Sequence, residues 1–204
     1  MSTTIDFYFD FLSPFAYLAQ HRLAQIAAEY GCNIAFHPVD LTATKAAAGN
    51  TGPGNRDMPV KLAYSRIDLA RWAKAYGLPF GWVGNYASRR MNIGALYARE
   101  RGQAGEYVRR AFHAGWAEGG RLDDDAVLGT LALSFGWNSE DFLAWIDAAP
   151  GEDAYGAETA AAIARGVFGV PTMVVDDQMW WGNDRLFMLA EYLGERNRAP
   201  ASRP

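Results

Sequence analysis

The beginning of the chain, residues 6–15, joins a strand pattern directly to a helix start. The run Asp6-Phe7-Tyr8-Phe9-Asp10-Phe11 is rich in aromatic residues and is typical of a buried strand. Ser13 and Pro14 follow almost at once. Serine is a strong helix N-cap, and proline is favoured at the first helical position because its missing N–H is not needed there. Ser13 is therefore predicted to lie at a strand-to-helix turn, beside free backbone N–H groups and the positive end of a helix dipole.

Composition limits both the architecture and the chemistry. The 204 residues are 50% hydrophobic, enough for one domain or two intimate subdomains with a full core. A net charge of −4 argues against a nucleic-acid partner and against an acidic membrane surface. Cys32 is the single cysteine, so no internal disulfide and no Cys-x-x-Cys motif can form. Dithiol redox chemistry is therefore excluded.

The order of predicted elements divides the chain into three parts. A strand over 5–11, a helix over 14–30 and a strand over 33–39 predict a parallel βαβ unit. Strand signals then disappear until two short strands, 172–176 and 178–181, which are joined by a turn at Asp176-Asp177 and followed by a helix over about 184–195 and a frayed tail from Arg196. Six helices are predicted between these parts, near 60–76, 87–101, 103–118, 124–135, 139–148 and 154–168.

These elements predict an α/β fold in which a small domain is split by a large helical insertion. Residues 1–40 form its first half, residues 41–165 the insertion, and residues 166–204 its second half. No linker separates the parts, so we expect them to fold as a unit.

Two turns could carry chemistry. Ser13 either only caps its helix or also donates a hydrogen bond to a bound thiolate, whose pKa the helix dipole would lower. The bond between Val170 and Pro171 precedes a strand and is either an ordinary trans turn or a functional cis bond. We expect cis, with the backbone of Val170 pairing with an extended peptide as a strand would.

Two polar groups could bind a ligand. The segment Trp181-Gly182-Asn183-Asp184 can cap the last helix, and its helix N-terminus with Asp184 can also hold the carboxylate and the ammonium group of a zwitterion. Loop cations and amides around a glycine-rich segment either are ordinary surface residues or bind a small carboxylate. This second group comprises Lys45, Asn50, Asn55, Arg56, Lys61 and Tyr86.

Other site types are not indicated. His21, His37 and His113 lack metal-ligand spacing, so we predict no metal site. There is neither a phosphate-binding glycine loop with its lysine nor a Gly-x-Ser-x-Gly elbow. Because no signal-peptide pattern and no run of about 18 apolar residues is present, we expect a soluble, cytoplasmic protein with no membrane partner.

The opening motif resembles a known family. Residues 8–18, with Asp10-Phe11-Leu12-Ser13-Pro14 at their centre, are similar to the start of 2-hydroxychromene-2-carboxylate isomerases. These are relatives of kappa-class glutathione transferases within the DsbA-like thioredoxin fold, in which a reactive sulfur occupies the turn where this chain has Ser13. The likeness covers nearly the whole chain and extends through residues 49–50, 54–57, 85–86, 88–92, 167–172 and 179–189.

The resemblance implies a thioredoxin-like fold and a division of site residues. Ser13 would be the catalytic residue that holds and activates the sulfur of glutathione, the cofactor. The glutathione peptide would be bound by Val170 and by Trp181, Gly182, Asn183 and Asp184. An aromatic keto acid would be bound by Lys45, Asn55, Arg56 and Tyr86. Asn50 and Lys61 match kappa-class glutathione contacts less closely. We expect a homodimer.

The implied reaction interconverts 2-hydroxychromene-2-carboxylate, a cyclic hemiketal, and trans-o-hydroxybenzylidenepyruvate, as in naphthalene-type catabolism. A thiolate that adds to the conjugated double bond makes it single, so that it can rotate before the thiolate leaves. Lys45 or Arg56 could stabilise enolate charge, and Tyr86 could assist proton transfer. The alternatives are a glutathione transferase with another electrophilic or peroxide substrate and a non-catalytic binding module.

Overall fold

The structure is a computed structural model that describes residues 2–83 and 87–198, apart from the side chain of Arg56. It contains a four-stranded mixed sheet in the order β2-β1-β3-β4. The strands are β1 (Thr4–Phe9), β2 (Asn33–Pro38), β3 (Thr172–Val175) and β4 (Gln178–Trp181). β1 pairs with β2 in parallel and with β3 antiparallel, and β3 and β4 form an antiparallel hairpin.

Nine α-helices accompany these strands in the described part of the chain. They are α1 (Pro14–Tyr30), α2 (Leu41–Ala47), α3 (Pro59–Tyr76), α4 (Arg89–Glu100), α5 (Ala104–Phe112), α6 (Asp125–Ser134), α7 (Ser139–Ile146), α8 (Ala149–Ala164) and α9 (Leu186–Arg198). Short 3₁₀ turns at Asn55–Asp57 and Asn183–Arg185 precede α3 and α9, and a π turn at His113–Ala117 extends α5. The α/β architecture with a long helical segment confirms the predicted fold class.

Several boundaries differ from the predicted ones. β1 ends at Phe9 rather than at residue 11, because the chain turns there toward Ser13. The sequence did not predict α2, which begins where the Asp40 side chain accepts a hydrogen bond from the Ala43 N–H at 2.9 Å. α8 begins five residues earlier than predicted because Pro150 lies in its first turn, where proline is tolerated. α9 continues to Arg198, beyond the point at which fraying was expected.

The sheet and the helical segment share one apolar core. Phe9 and Phe11, at and just beyond the end of β1, are fully buried against Phe112 of α5, with ring centroids 5.8 Å and 4.5 Å apart. The Trp116 indole N–H donates to the Phe11 carbonyl oxygen at 2.8 Å. Aromatic packing and a buried hydrogen bond thus fix the position of the turn that follows β1.

A charged cluster ties the sheet to α8. His37 on β2 contacts the Glu158 carboxylate through Nδ1 at 2.5 Å and the Asp6 carboxylate through Nε2 at 3.2 Å. Arg99 pairs with Glu158 at 2.8 Å, and Arg165 pairs with Asp6 at 3.3 Å. Burial alone would raise the pKa of Glu158, but His37 and Arg99 outweigh it and lower that pKa to about 2. The folded state therefore favours the ionised glutamate.

This cluster predicts an acid-dependent loss of stability. An ordinary glutamate pKa of 4.5 means that the stabilisation is complete above about pH 4.5 and declines as the pH falls toward 2. We expect Glu158→Gln to lower the free energy of unfolding at pH 7 by about 2–3 kcal/mol. Urea unfolding at pH 7, 5 and 3.5 should show the difference from wild type shrinking with the pH. Glu195→Gln, at an exposed position on α9, is the control; a difference independent of pH would contradict the assignment.

Candidate active site

Four chain segments meet at one edge of the sheet. β1 and β2 run in parallel and end together, with Phe9 opposite Pro38. β3 is antiparallel to β1 and therefore starts at that edge, and β4 ends there, with Trp181 opposite Thr172. The turn that contains Ser13, the start of α2, the loop before β3 and the segment after β4 consequently share this edge. Cys32 lies at the opposite edge, just before β2 begins.

Ser13 caps α1 and is buried, with 6% of its surface exposed. Its Oγ accepts a hydrogen bond from the Ala16 N–H at 3.2 Å, and its own N–H donates to the Asp10 carbonyl oxygen at 2.9 Å. Pro14 occupies the first turn, as expected. The cap uses the hydroxyl oxygen as an acceptor, so the hydroxyl proton can be donated to an anion at the helix N-terminus, where the helix dipole favours negative charge.

The loop before β3 is fixed by two hydrogen bonds. The Val170–Pro171 bond is cis, which confirms the prediction. The Thr172 hydroxyl donates to the Gly169 carbonyl oxygen at 2.7 Å, and the Gly182 N–H donates to the Pro171 carbonyl oxygen at 2.9 Å. Within residues 2–83 and 87–198, no backbone–backbone hydrogen bond uses the N–H or the C=O of Val170. These two groups are the ones that an extended peptide would require.

Asn183 stands out in the segment that follows β4. Its side chain is almost fully buried, with 3% exposure, yet neither Oδ1 nor Nδ2 has a hydrogen-bond partner among the described residues. The Asn183 amide faces the Tyr76 phenol: burial raises the pKa of Tyr76, and a polar contact with Asn183 that falls short of hydrogen-bond geometry opposes that rise. A buried amide without partners costs about 1–3 kcal/mol. Both polar atoms of this amide are thus available to a polar ligand.

The other residues of this segment are more exposed. Trp181 is 53% exposed and packs edge-to-face on Phe168, with ring centroids 5.0 Å apart. Gly182 has φ +108, a backbone conformation that other residues rarely adopt, so glycine is favoured there. Asp184 pairs with Arg185 at 2.6 Å on the surface. Exposed pairs contribute little stability, so this one does not prevent Asp184 from binding an ammonium group instead.

The predicted keto-acid residues are only partly described. Lys45 is half-buried on α2 and forms no ion pair with the described acidic residues. Asn55 is exposed in the 3₁₀ turn before α3. Tyr86 and the side chain of Arg56 lie outside the described residues. The sheet positions the start of α2, because Leu41 follows Pro38, the last residue of β2, by three residues, and Lys45 lies one turn further along α2.

One buried carboxylate beneath the Ser13 turn was not predicted. Asp10 is 3% exposed, and its Oδ1 accepts hydrogen bonds from the Ser88 hydroxyl at 2.6 Å, the Asn92 amide at 2.9 Å and the Leu12 N–H at 2.9 Å. Its Oδ2 accepts from the Leu41 N–H at 3.1 Å. Burial raises the pKa of Asp10, and hydrogen bonds from Ser88 and the other three donors oppose that rise. The sequence signal was an acidic residue between two aromatic residues, Phe9 and Phe11, just before the Ser13 turn.

Other features of the described chain do not coincide with this edge. A cavity of about 600 Å³ lies between α5 and α6 and is lined in part by Arg110, His113 and Leu131, with none of the predicted site residues. Within residues 2–83 and 87–198, no group of three or more His, Cys, Asp or Glu side chains is placed to hold a metal ion. In the same part of the chain, no helix combines the length and the apolar character needed to cross a membrane.

Comparison with known proteins agrees with this geometry. Residues 4–194 match the family model of the DSBA-like thioredoxin domain, so the fold is a DsbA-like thioredoxin fold. A 2-hydroxychromene-2-carboxylate isomerase from Pseudomonas putida is 47% identical over 197 residues, which are 97% of each chain. A solved structure of such an isomerase is 47% identical, covers 96% of both chains and superposes with a TM-score of 0.92. The chain belongs to the 2-hydroxychromene-2-carboxylate isomerase family, which confirms the resemblance.

A more distant relative is a kappa-class transferase. Human glutathione S-transferase kappa 1 is 26% identical over 213 residues, which cover 97% of this chain and 93% of that protein. The much higher identity to the isomerases places the chain with them rather than with the transferases.

Proposed function

We propose that this protein is a glutathione-dependent isomerase that interconverts 2-hydroxychromene-2-carboxylate and trans-o-hydroxybenzylidenepyruvate in naphthalene-type catabolism. The observation that carries the proposal is the convergence at one sheet edge of the Ser13 hydroxyl, the Val170 backbone and the Asn183 amide, the last two without a hydrogen-bond partner among the described residues. The hydroxyl could bind the thiol of glutathione and the strand-like backbone its peptide bonds. The buried amide could bind a carboxylate. When bound, glutathione supplies a thiolate that adds reversibly to the conjugated double bond.

The protein's own groups would perform three tasks. Ser13 would donate a hydrogen bond from its hydroxyl to the glutathione sulfur. This bond and the dipole of α1 would stabilise the ionised sulfur. Val170, Asn183 and Asp184 would bind the peptide portion through backbone, amide and carboxylate groups. Lys45, together with Asn55, Arg56 and Tyr86, would bind the keto acid and stabilise negative charge that develops on its oxygen atoms.

The absorbance change of 2-hydroxychromene-2-carboxylate on addition of protein and glutathione tests this proposal. We expect turnover that requires both components and stops at the same equilibrium mixture from either direction. The second candidate is a transferase, which the similarity to human glutathione S-transferase kappa 1 supports. Turnover of a chlorinated aromatic or a peroxide without turnover of the chromene would favour that candidate. Failure to bind glutathione in calorimetry would leave a non-catalytic binding module.

Replacement of Asn183 should weaken glutathione binding without lowering the stability of the fold. Asn183→Ala removes the two buried polar atoms that have no partner among the described residues. We expect the thermal unfolding temperature without glutathione to stay the same or rise, because a desolvated amide is removed. The Kd for glutathione should rise about 5–30-fold, for a loss of about 1–2 kcal/mol. Calorimetric titration measures the Kd; a large loss of stability with unchanged affinity would contradict a role in binding.

We also propose that the protein acts as a cytoplasmic homodimer. The support is an apolar face on α3, where Val60, Tyr64 and Ile67 follow helical spacing and are 84%, 61% and 53% exposed. Sedimentation of Ile67→Glu against wild type tests the dimer: a shift to monomer supports it, and a wild type that sediments as a monomer contradicts it.

A further inference from the structure

The Asp10 carboxylate joins the two halves of the candidate site. Its Oδ1 accepts from the Leu12 N–H, next to Ser13, and its backbone carbonyl accepts from the Ser13 N–H at 2.9 Å. Its Oδ2 accepts from the N–H of Leu41, the first residue of α2, which carries Lys45. One buried side chain thus contacts both the turn that would hold glutathione and the helix that would hold the keto acid.

The remaining contacts make this carboxylate a rigid point. Asn92 is fully buried; its Nδ2 donates to Asp10 and to the Tyr155 hydroxyl at 2.9 Å, and its Oδ1 accepts from the Phe11 N–H at 3.1 Å. Ser88, which precedes α4, donates to the same Oδ1. All four groups around the carboxylate donate, which is the arrangement that an ionised acid requires.

The Oδ2 contact has a different role from the Oδ1 contacts. Oδ1 fixes the Ser13 turn to α4, whereas Oδ2 has the Leu41 N–H as its hydrogen-bond partner. The first-turn N–H groups of a helix have no partner within the helix and need one outside it. In α2, the Asp40 side chain caps the Ala43 N–H, and Asp10 satisfies the N–H of Leu41.

We propose that Asp10 is a positioning residue that sets the location of Lys45 relative to Ser13. The inference rests on the proposed function, because it assumes that Lys45 contacts the keto acid and that Ser13 contacts glutathione. Errors of about 1 Å in the placement of binding groups are costly in catalysis, so the loss of one fixed contact should be visible in the kinetics.

Asp10→Asn tests the proposal with little change of shape. The amide can keep its oxygen toward Ser88, Asn92 and Leu12, and its NH₂ group then faces the Leu41 N–H, donor against donor. We expect kcat/KM for the keto acid to fall about tenfold, while the Kd for glutathione changes less than about twofold. In a Lys45→Met background the same substitution should change kcat/KM less than about twofold, because there is no lysine left to position.

Leu41→Pro breaks the same contact from the helix side, because the proline ring replaces the N–H and forces its Cδ away from Oδ2. Proline is favoured at the first position of a helix, and Asp40 already has the extended backbone that suits a residue before proline. We expect the same selective loss as in Asp10→Asn, including its disappearance in the Lys45→Met background. Leu41→Pro tests the effect of the Oδ2 contact on substrate use even if Asp10→Asn does not fold. Ser88→Ala, which leaves the Leu41 contact to Oδ2 intact, should reduce kcat/KM for the keto acid less than Asp10→Asn does.

The outcomes distinguish a wrong proposed function from a wrong positioning role of Asp10. A wild-type protein without isomerase activity means that the proposed function is wrong. An active wild type whose Asp10→Asn and Leu41→Pro variants keep full kcat/KM, or lose glutathione affinity to the same extent, overturns the positioning role. An undiminished effect in the Lys45→Met background also overturns it, because a purely structural effect would add to the loss of Lys45 rather than depend on it.

Discussion

Ser13→Ala should lower kcat at saturating glutathione about 10²–10³-fold while the fold stays intact. The Ser13 hydroxyl lies at the N-terminus of α1 with its proton free for a ligand, and the loss of one donor that stabilises charge in a transition state usually costs that much. The hydroxyl is expected to act as a hydrogen-bond donor and not as a covalent nucleophile, because the described part of the chain places no histidine or other base in hydrogen-bond contact with it. Steady-state kinetics with the chromene carboxylate measure the loss.

Helix capping must be separated from this effect. Ser13→Ala also removes a cap, which costs about 1 kcal/mol and a few degrees of unfolding temperature in a chain of this size. Asn138→Ala is the matched control, because the Asn138 side chain caps α7 through the Asp141 N–H at 3.0 Å and lies in the helical segment away from the sheet edge. We expect similar melting shifts from both variants and a kinetic loss from Ser13→Ala alone. Equal turnover in the two variants would contradict the assignment.

The Ser13 turn at the sheet edge could be predicted from sequence because it has a local signal. Ser13-Pro14 after an aromatic run predicted a strand followed by a capped helix, and the α1 bounds agree to the residue. The helix signal depends on neighbouring residues only, so it needs no knowledge of the fold. The sequence Val170-Pro171 before a strand suits either isomer, and the cis bond was predicted from the thioredoxin architecture, in which a cis-proline faces the active-site turn.

The Asp10 network could not be predicted in the same way. Its members Asp10, Leu41, Ser88 and Asn92 are up to 82 residues apart, and each alone has an ordinary explanation in a turn, a cap or a helix. α2 was missed for a related reason: seven residues give too short a pattern for helical periodicity, and its start depends on Asp10 and on the Asp40 cap. Tertiary contacts decide both features. An acidic residue between the aromatic residues Phe9 and Phe11 was the available indication.

Lys45→Met should reduce kcat/KM for the keto acid about 10–150-fold and leave glutathione binding unchanged. Lys45 lies on α2 at the sheet edge without an ion pair to a described carboxylate, so its charge is available to the substrate. A lost charge-assisted hydrogen bond costs about 1.5–3 kcal/mol, and about 1.4 kcal/mol corresponds to a factor of ten. Lys74→Met, an exposed lysine near the end of α3, is the control for the loss of one positive charge.

The division of this loss between kcat and KM identifies what the ammonium group contacts. A rise in KM at constant kcat means that Lys45 binds the carboxylate equally in the ground state and the transition state. A fall in kcat means that it also meets the negative charge that develops on the keto oxygen after thiolate addition, as an oxyanion donor does. Calorimetry with glutathione alone completes the test. Should Lys45→Met abolish glutathione affinity instead, the start of α2 belongs to the cofactor site, and the division of the sheet edge into a glutathione half around Ser13 and a keto-acid half around Lys45 is wrong.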